Sequence, residues 1–188
     1  MTEPDVDDRE RWNTRYRAGE DGSTPLLLGR SLHLFGRGGR ALDVAGGTGQ
    51  AAAILAARGF EVTVADVSDV ALERAAERAE RAGVTITTVQ ADLTSAPLPA
   101  GPWDLITSFN YLDRALFPAM IEALAPRGAL AVTIATASNL ERNDRPAARF
   151  LLDDGELPSL LGDLTLKHYV EGWDLNGRHT AEAIAVRL

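Results

Sequence analysis

Leu42-Asp43-Val44-Ala45-Gly46-Gly47-Thr48-Gly49 is the segment whose residue types and spacing best suit chemistry. An apolar run ends beside an acid, glycines follow, and an alanine-rich helical stretch opens at Gln50. Glycines let the main chain approach a ligand closely and take positive φ. The start of a helix presents unpaired N–H groups that suit a carboxylate or phosphate. Asp66 and Asp92 stand at matching places, each just past a predicted strand. In an open α/β sheet, ligands bind beyond the carboxyl ends of the strands. A carboxylate after the second strand is placed to accept two hydrogen bonds from a ribose diol. One after the third strand reaches an adenine amino group. An adenosine with a short charged tail fits all three features.

A nicotinamide dinucleotide is the competing ligand. Gly47-Thr48-Gly49-Gln50-Ala51-Ala52 satisfies G-x-G-x-x-A, and Asp66 falls near the spacing that motif expects. Asp43 opposes it, because its charge would face a pyrophosphate. Asp92 adds a second acid at the adenine position. The chain also ends in a hairpin where a dehydrogenase needs a further parallel strand and a second domain.

The elements that must position these residues follow from periodicity. Helical patterns run over 7–17, with Trp12 and Tyr16 on one face, and over 26–35. Strands are predicted at 40–45, 61–65, 85–90, 103–109 and 129–136, with helices at 50–58, 69–82 and near 114–124. Ser68 caps the 69–82 helix, and its charge run, including Glu77 and Arg81, reads as a solvated face. The segments 164–173 and 178–188 flank Asn176-Gly177 and read as an antiparallel hairpin. The fold class expected is α/β: a doubly wound, mostly parallel seven-stranded sheet with helices on both faces and a C-terminal antiparallel hairpin. Residues 1–188 are expected to form one domain: a disordered tail at 1–6, a helical cap at 7–36, a cofactor-binding core at 40–136, and a substrate-side segment with the closing hairpin at 137–188. The cap helix and the polar, proline-punctuated 137–148 segment are placed to act as a lid.

Composition narrows the function classes. The chain has 188 residues, enough to bury roughly 70% of its unfolded surface without disulfides or a structural metal. Nineteen basic against 27 acidic residues give a net charge of −8, which opposes nucleic-acid binding. There is no cysteine, so thiol nucleophiles and cysteine metal sites are excluded. His33, His168 and His179 lack metal spacing and read as structural. The opening residues lack a signal-peptide core, and no stretch approaches a membrane span, so a cytoplasmic location is expected.

Taken together, these residues resemble the class I S-adenosylmethionine-dependent methyltransferases. Asp43-Val44-Ala45-Gly46-Gly47-Thr48-Gly49 matches their first motif, D-x-G-C-G-x-G, with Ala45 for the first glycine and Gly46 for the cysteine. The alanine is typical of the tellurite-resistance (TehB-like) and thiopurine-methyltransferase-like branch. Arg11-Trp12-Asn13-Thr14-Arg15-Tyr16, Phe109-Asn110-Tyr111-Leu112-Asp113-Arg114 and Phe150-Leu151-Leu152-Asp153-Asp154-Gly155-Glu156-Leu157 point to the same branch. The resemblance implies S-adenosylmethionine as cofactor. In it, Ala45, Gly46, Gly47 and Gly49 lie along the methionine part, and Asp43 helps hold its ammonium. Asp66 takes the ribose hydroxyls. Asp92 and the Leu93 amide take the adenine, with Val67 packed on its ring. Trp12 and Tyr16 cover the cofactor. Asn110 lies near the sulfonium and, with Tyr111 and Arg114, on the catalytic side. Arg15 and Arg114 face the substrate.

Each assignment has a plainer structural counterpart. The glycines make a tight turn, Asp66 caps a helix, Asp92 is a turn residue, the aromatics anchor a helix, and the two arginines are ion-paired. The resemblance implies methyl transfer to a small acceptor, with soft nucleophiles (thiol, selenide, telluride) suggested by the branch. Asn110-Tyr111-Leu112 is not the N-P-P-Y signature of amino-group methyltransferases that act on adenine or glutamine. A non-catalytic S-adenosylmethionine-binding module and an NAD-linked oxidoreductase are the alternatives. No metal, nucleic-acid or membrane partner is expected.

Overall fold

A computed structural model describes residues 7–22 and 24–188; the expected tail over 1–6 lies outside them. Six α-helices occur among the described residues: α1 (Asp8–Arg17), α2 (Leu26–Ser31), α3 (Gln50–Ala57), α4 (Asp69–Arg81), α5 (Phe117–Glu122) and α6 (Leu157–Leu160). The strands are β1 (Gly39–Val44), β2 (Phe60–Asp66), β3 (Ile86–Gln90), β4 (Trp103–Phe109), β5 (Leu124–Ala135), β6 (Thr165–Trp173) and β7 (His179–Val186). They form a seven-stranded sheet in the order β3-β2-β1-β4-β5-β7-β6. This is the expected class: a mostly parallel α/β sheet closed by an antiparallel hairpin.

The chain divides into two compact units. The first comprises the described residues up to Thr24 with Arg37–Pro99, and the second comprises Pro25–Gly36 with Ala100–Leu188. The predicted 7–36 cap is therefore split: α1 belongs to the first unit and α2 to the second.

In the first unit, β1 pairs parallel with β2, and β2 with β3. Parallel strands need crossovers, which α3 and α4 supply. The core is built from alternating strand residues such as Leu42, Val44, Val62 and Val64, with Leu55 and Leu72 from the helices. The Ser68 hydroxyl accepts from the Ala71 N–H at 3.0 Å, the predicted N-cap of α4.

In the second unit, β4 and β5 are parallel, and β7 pairs antiparallel with both β5 and β6. β5 starts earlier than its periodicity indicates, at Leu124, because Gly128 and Arg127, at φ +68°, let the chain turn within it. The 26–35 helix is likewise broken, into α2 and a 3-10 turn over Leu32–Leu34. Among the described residues, no helix is long and apolar enough to cross a membrane.

Candidate functional site

The glycine turn follows β1 in the first unit. Ala45 takes φ +50°, a left-handed conformation that costs a residue bearing a Cβ about 1–2 kcal/mol. Such strain concentrates at functional sites. A Cβ on Gly46 would stand 2.6 Å from Asp43 Oδ2, so the buried Asp43 carboxylate packs directly against the turn. Gly47 has φ +53°, and a Cβ there would stand 2.8 Å from the Tyr16 hydroxyl. Gly49, at φ +76°, immediately precedes α3 and lets Ala75 of α4 pack against it.

Asp66 ends β2 with its side chain buried. Its Oδ2 accepts from the Gly47 N–H and its Oδ1 from the Ser68 N–H, both at 2.9 Å. Burial pushes its carboxyl above the ordinary range, against the opposing pull of the Ser68, Gly47 and Val67 N–H groups. A carboxylate offers roughly four acceptor positions, and the Gly47 and Ser68 N–H groups take two. Two positions are left, as many as the ribose hydroxyls that the sequence reading assigns to this residue. Asp66 is thus both a brace for the turn and a remaining acceptor.

Asp92 is exposed beyond β3. Its Oδ1 accepts from the Thr94 hydroxyl at 2.6 Å and the Thr94 N–H at 3.0 Å. These bonds hold its carboxyl below the ordinary range, so it stays an acceptor. The plainer turn role is present, and the second oxygen suits an amino donor. Leu93 beside it is buried and Val67 is half-buried.

Trp12 and Tyr16 stack with centroids 5.8 Å apart, and Tyr16 reaches the glycine turn. Burial and then the Asp66 charge push the Tyr16 phenol well above its ordinary value. Arg15 lies over the Trp12 ring at 4.5 Å and pairs with Glu20 at 2.6 Å. Three contacts escaped the sequence reading. Asn13 is buried; its amide donates to Asp69 at 2.7 Å and accepts from the Ser68 hydroxyl at 2.6 Å, tying α1 to the start of α4. Asp21 takes the Thr48 hydroxyl, the Gln50 amide at 2.6 Å and Arg78 at 2.7 Å. Arg74 donates to the Tyr16 and Glu20 carbonyls at 3.0 and 2.7 Å. Arg74 and Arg78 of α4 thus clamp the segment after α1 to the glycine turn, while Glu77 and Arg81 are exposed. Four-residue spacing on a helix does not tell which of its charged residues meets a distant loop.

The remaining candidates belong to the second unit. Asn110 follows β4 at φ +59°; its N–H donates to the Thr133 carbonyl at 2.7 Å, and its Oδ1 accepts from Arg178 at 3.0 Å. Tyr111 beside it is half-buried. Arg114, expected at the substrate, forms a two-pronged pair with Glu156, Nε to Oε1 at 2.5 Å and Nη2 to Oε2 at 2.6 Å. It also donates to the Leu151 carbonyl at 3.2 Å. Its guanidinium therefore braces the 151–156 segment. The 137–148 segment is fastened as well. Asn139 is fully buried, accepting from the His179 N–H at 3.1 Å and donating to the Arg145 carbonyl at 2.8 Å, while Asn143 donates to the Gly177 carbonyl at 2.9 Å.

These residues fit an adenosyl cofactor on their own chemistry: hydrogen-bond acceptors at Asp66 and Asp92, a helix start after Gly49, and an apolar flank at Val67 and Leu93. Among the described residues, no group of three or more His, Cys, Asp or Glu could hold a metal ion.

A family profile described as "Methyltransferase domain" matches residues 41–128. The chain is 38% identical over 84 residues to uncharacterized proteins of Mycobacterium tuberculosis and Mycobacterium bovis, a match covering 45% of this chain and 30% of theirs. It thus spans under a third of the length of the curated relatives it matches. Among solved structures it is similar to TehB from Haemophilus influenzae (TM-score 0.76, 19% identity, 96% of this chain and 67% of that one). It is also similar to the magnesium protoporphyrin IX methyltransferase of Synechocystis with bound SAH (TM-score 0.71, 18% identity, 96% and 98%). A third is a TehB-like methyltransferase from Corynebacterium glutamicum (TM-score 0.63, 17% identity, 95% of each chain). Residues 41–128 thus match a methyltransferase-domain profile, and the chain has the fold of S-adenosylmethionine-dependent methyltransferases such as these.

Proposed function

We propose that this protein transfers a methyl group from S-adenosylmethionine to a small-molecule acceptor, with a soft nucleophile such as a thiol, selenide or telluride as the preferred class. The observation that carries the reading is the bracing of the glycine turn: Asp66 accepts from Gly47 while Asp43 packs against Gly46. That arrangement holds the backbone after β1 in a fixed shape and leaves an acceptor beside it. When bound, S-adenosylmethionine supplies an already activated methyl group, so the hard chemistry is the cofactor's. The chain's part is positioning and exclusion of water. Asp66 would take a ribose hydroxyl, Asp92 and Leu93 the adenine, Asp43 the ammonium, and Tyr16 would cover the turn. The organisation of 1–188 as one methyltransferase domain belongs to the same proposal.

Calorimetry with S-adenosylmethionine and S-adenosylhomocysteine tests it. Both should release or absorb heat with the parent. Asp92→Asn, on an exposed loop, should weaken both about 10-fold, and Asp66→Ala by about 10–100-fold, the range for hydrogen bonds to a charged group. Labelled-methyl transfer to a thiol, selenide and telluride panel then separates an enzyme from a binding module. No heat with either form of the donor sinks the reading.

A further inference from the structure

Asn13 is the one residue of α1 that is buried among the described residues, and it is an amide where a docked helix ordinarily presents apolar side chains. A buried amide costs free energy unless its donor and its acceptor are both paired. Here both are, and the chemistry of the partners fixes which way the amide points. The Asp69 carboxylate, held below its ordinary range by this amide, only accepts, so Nδ2 of Asn13 faces it at 2.7 Å. Oδ1 of Asn13 then takes the hydroxyl proton of Ser68 at 2.6 Å. That hydroxyl has one proton to give, and its oxygen is the acceptor for the Ala71 N–H at 3.0 Å. The bond to Asn13 therefore holds the Ser68 side chain in its capping position at the start of α4.

The main chain of the same serine reaches the ligand edge. The Ser68 N–H donates to Asp66 Oδ1 at 2.9 Å, while the Gly47 N–H donates to Oδ2 at 2.9 Å. One oxygen of Asp66 is thus held by the glycine turn, and the other by the capping residue that α1 grips. Asn13, Ser68 and Asp66 are all buried and all belong to the first unit. An amide that served only to dock α1 could bond anywhere along α4. Asn13 instead takes Ser68 and Asp69, the residues just behind Asp66 in the chain. Linked buried hydrogen bonds of this kind set one another's geometry.

We propose that Asn13 is a positioning residue for the adenosyl group: through Ser68 it sets the Asp66 carboxylate, whose remaining acceptor positions take the ribose hydroxyls; this rests on the cofactor reading above. Docking of α1 and binding of the adenosyl group then favour each other, each by the same factor. The helix does more than cover the turn, because it also orders the acid beneath.

Calorimetry with S-adenosylhomocysteine over a double-mutant cycle reads the relay. Asn13→Ala should weaken binding about 5–10-fold in the parent and less than about twofold where Asp66 is already alanine. Equal losses in both backgrounds would show that Asn13 only docks α1, and no loss in the parent would show that it positions nothing; either overturns the proposal. Asp21→Asn loosens the segment after α1 without touching this relay, so it should change affinity by the same factor in both backgrounds. An Asp21→Asn loss that also vanishes with Asp66→Ala overturns Asn13 as the link. Proton–nitrogen spectra of the ligand-free protein give a second reading and show that the variant is folded. The Ser68 amide should titrate with Asp66 in the parent, and in Asn13→Ala that shift should shrink about twofold or more. An unchanged Ser68 titration overturns the relay. Absence of calorimetric heat with the parent overturns the cofactor reading and the positioning role with it, whereas heat with an additive cycle overturns the positioning role alone.

Discussion

The Tyr16 hydroxyl occupies the space that a side chain on Gly47 would need, with a Cβ there standing only 2.8 Å from it. Gly47 is therefore held by two demands: its positive φ, which disfavours any Cβ, and the phenol seated against its main chain. The sequence accounts for the first demand. The second couples α1 to the loop after β1.

Gly47→Ala should therefore destabilise the protein by more than its backbone strain. The left-handed conformation alone costs about 1–2 kcal/mol, and overpacking adds about 1–3. In a Tyr16→Phe background the hydroxyl is gone, and the alanine should cost only the first part. Urea unfolding of the four proteins measures the difference. Additive costs would show that Tyr16 does not sit on Gly47.

Asp21 makes the segment after α1 pH-sensitive. Partial burial opposes its ionisation, but the Thr48 and Arg78 bonds outweigh it and hold the carboxyl below its ordinary 3.8. A depressed carboxyl stabilises the fold above that ordinary value, and the gain is lost as pH falls through the folded value. The side chain is 41% exposed, so solvent limits the contribution to under about 1 kcal/mol. At neutral pH, Asp21→Asn should speed amide exchange around Gly22 relative to the parent. The gap should close as the solution is acidified below the ordinary carboxylate range. Equal exchange at neutral pH would show that the clamp is idle.

Arg114 and Glu156 should behave as a structural pair. Each shifts the other toward its charged form, chiefly through their mutual hydrogen bonds. The arginine side chain is 43% exposed, so a coupling energy of only about 1 kcal/mol is expected from a double-mutant cycle of Arg114→Gln and Glu156→Gln. Arg114→Lys should not restore stability, since a lysine cannot reproduce the fork. A cycle with no coupling, together with a large loss of methyl transfer in Arg114→Gln alone, would return Arg114 to the substrate.

The strand and helix rhythm, the glycine turn with its acids at 43, 66 and 92, the Ser68 cap and the closing hairpin are all written in local composition. Periodicity, caps and turn residues act over a few positions, so they are readable along the chain. The roles of Asn13, Asp21, Arg78 and Arg114 are not. Asp21 meets Arg78 across 57 positions, and Arg114 meets Glu156 across 42. Each is an ordinary polar residue whose partner only folding supplies. The same limit explains Asp66: its place after β2 is legible, but the main-chain donors that occupy about half of its acceptor capacity are in place only once the β1 and β2 turns are side by side. Short-range preference determines which elements form and where a ligand edge lies. Long-range hydrogen bonding decides which side chains at that edge are already occupied and which remain available for chemistry.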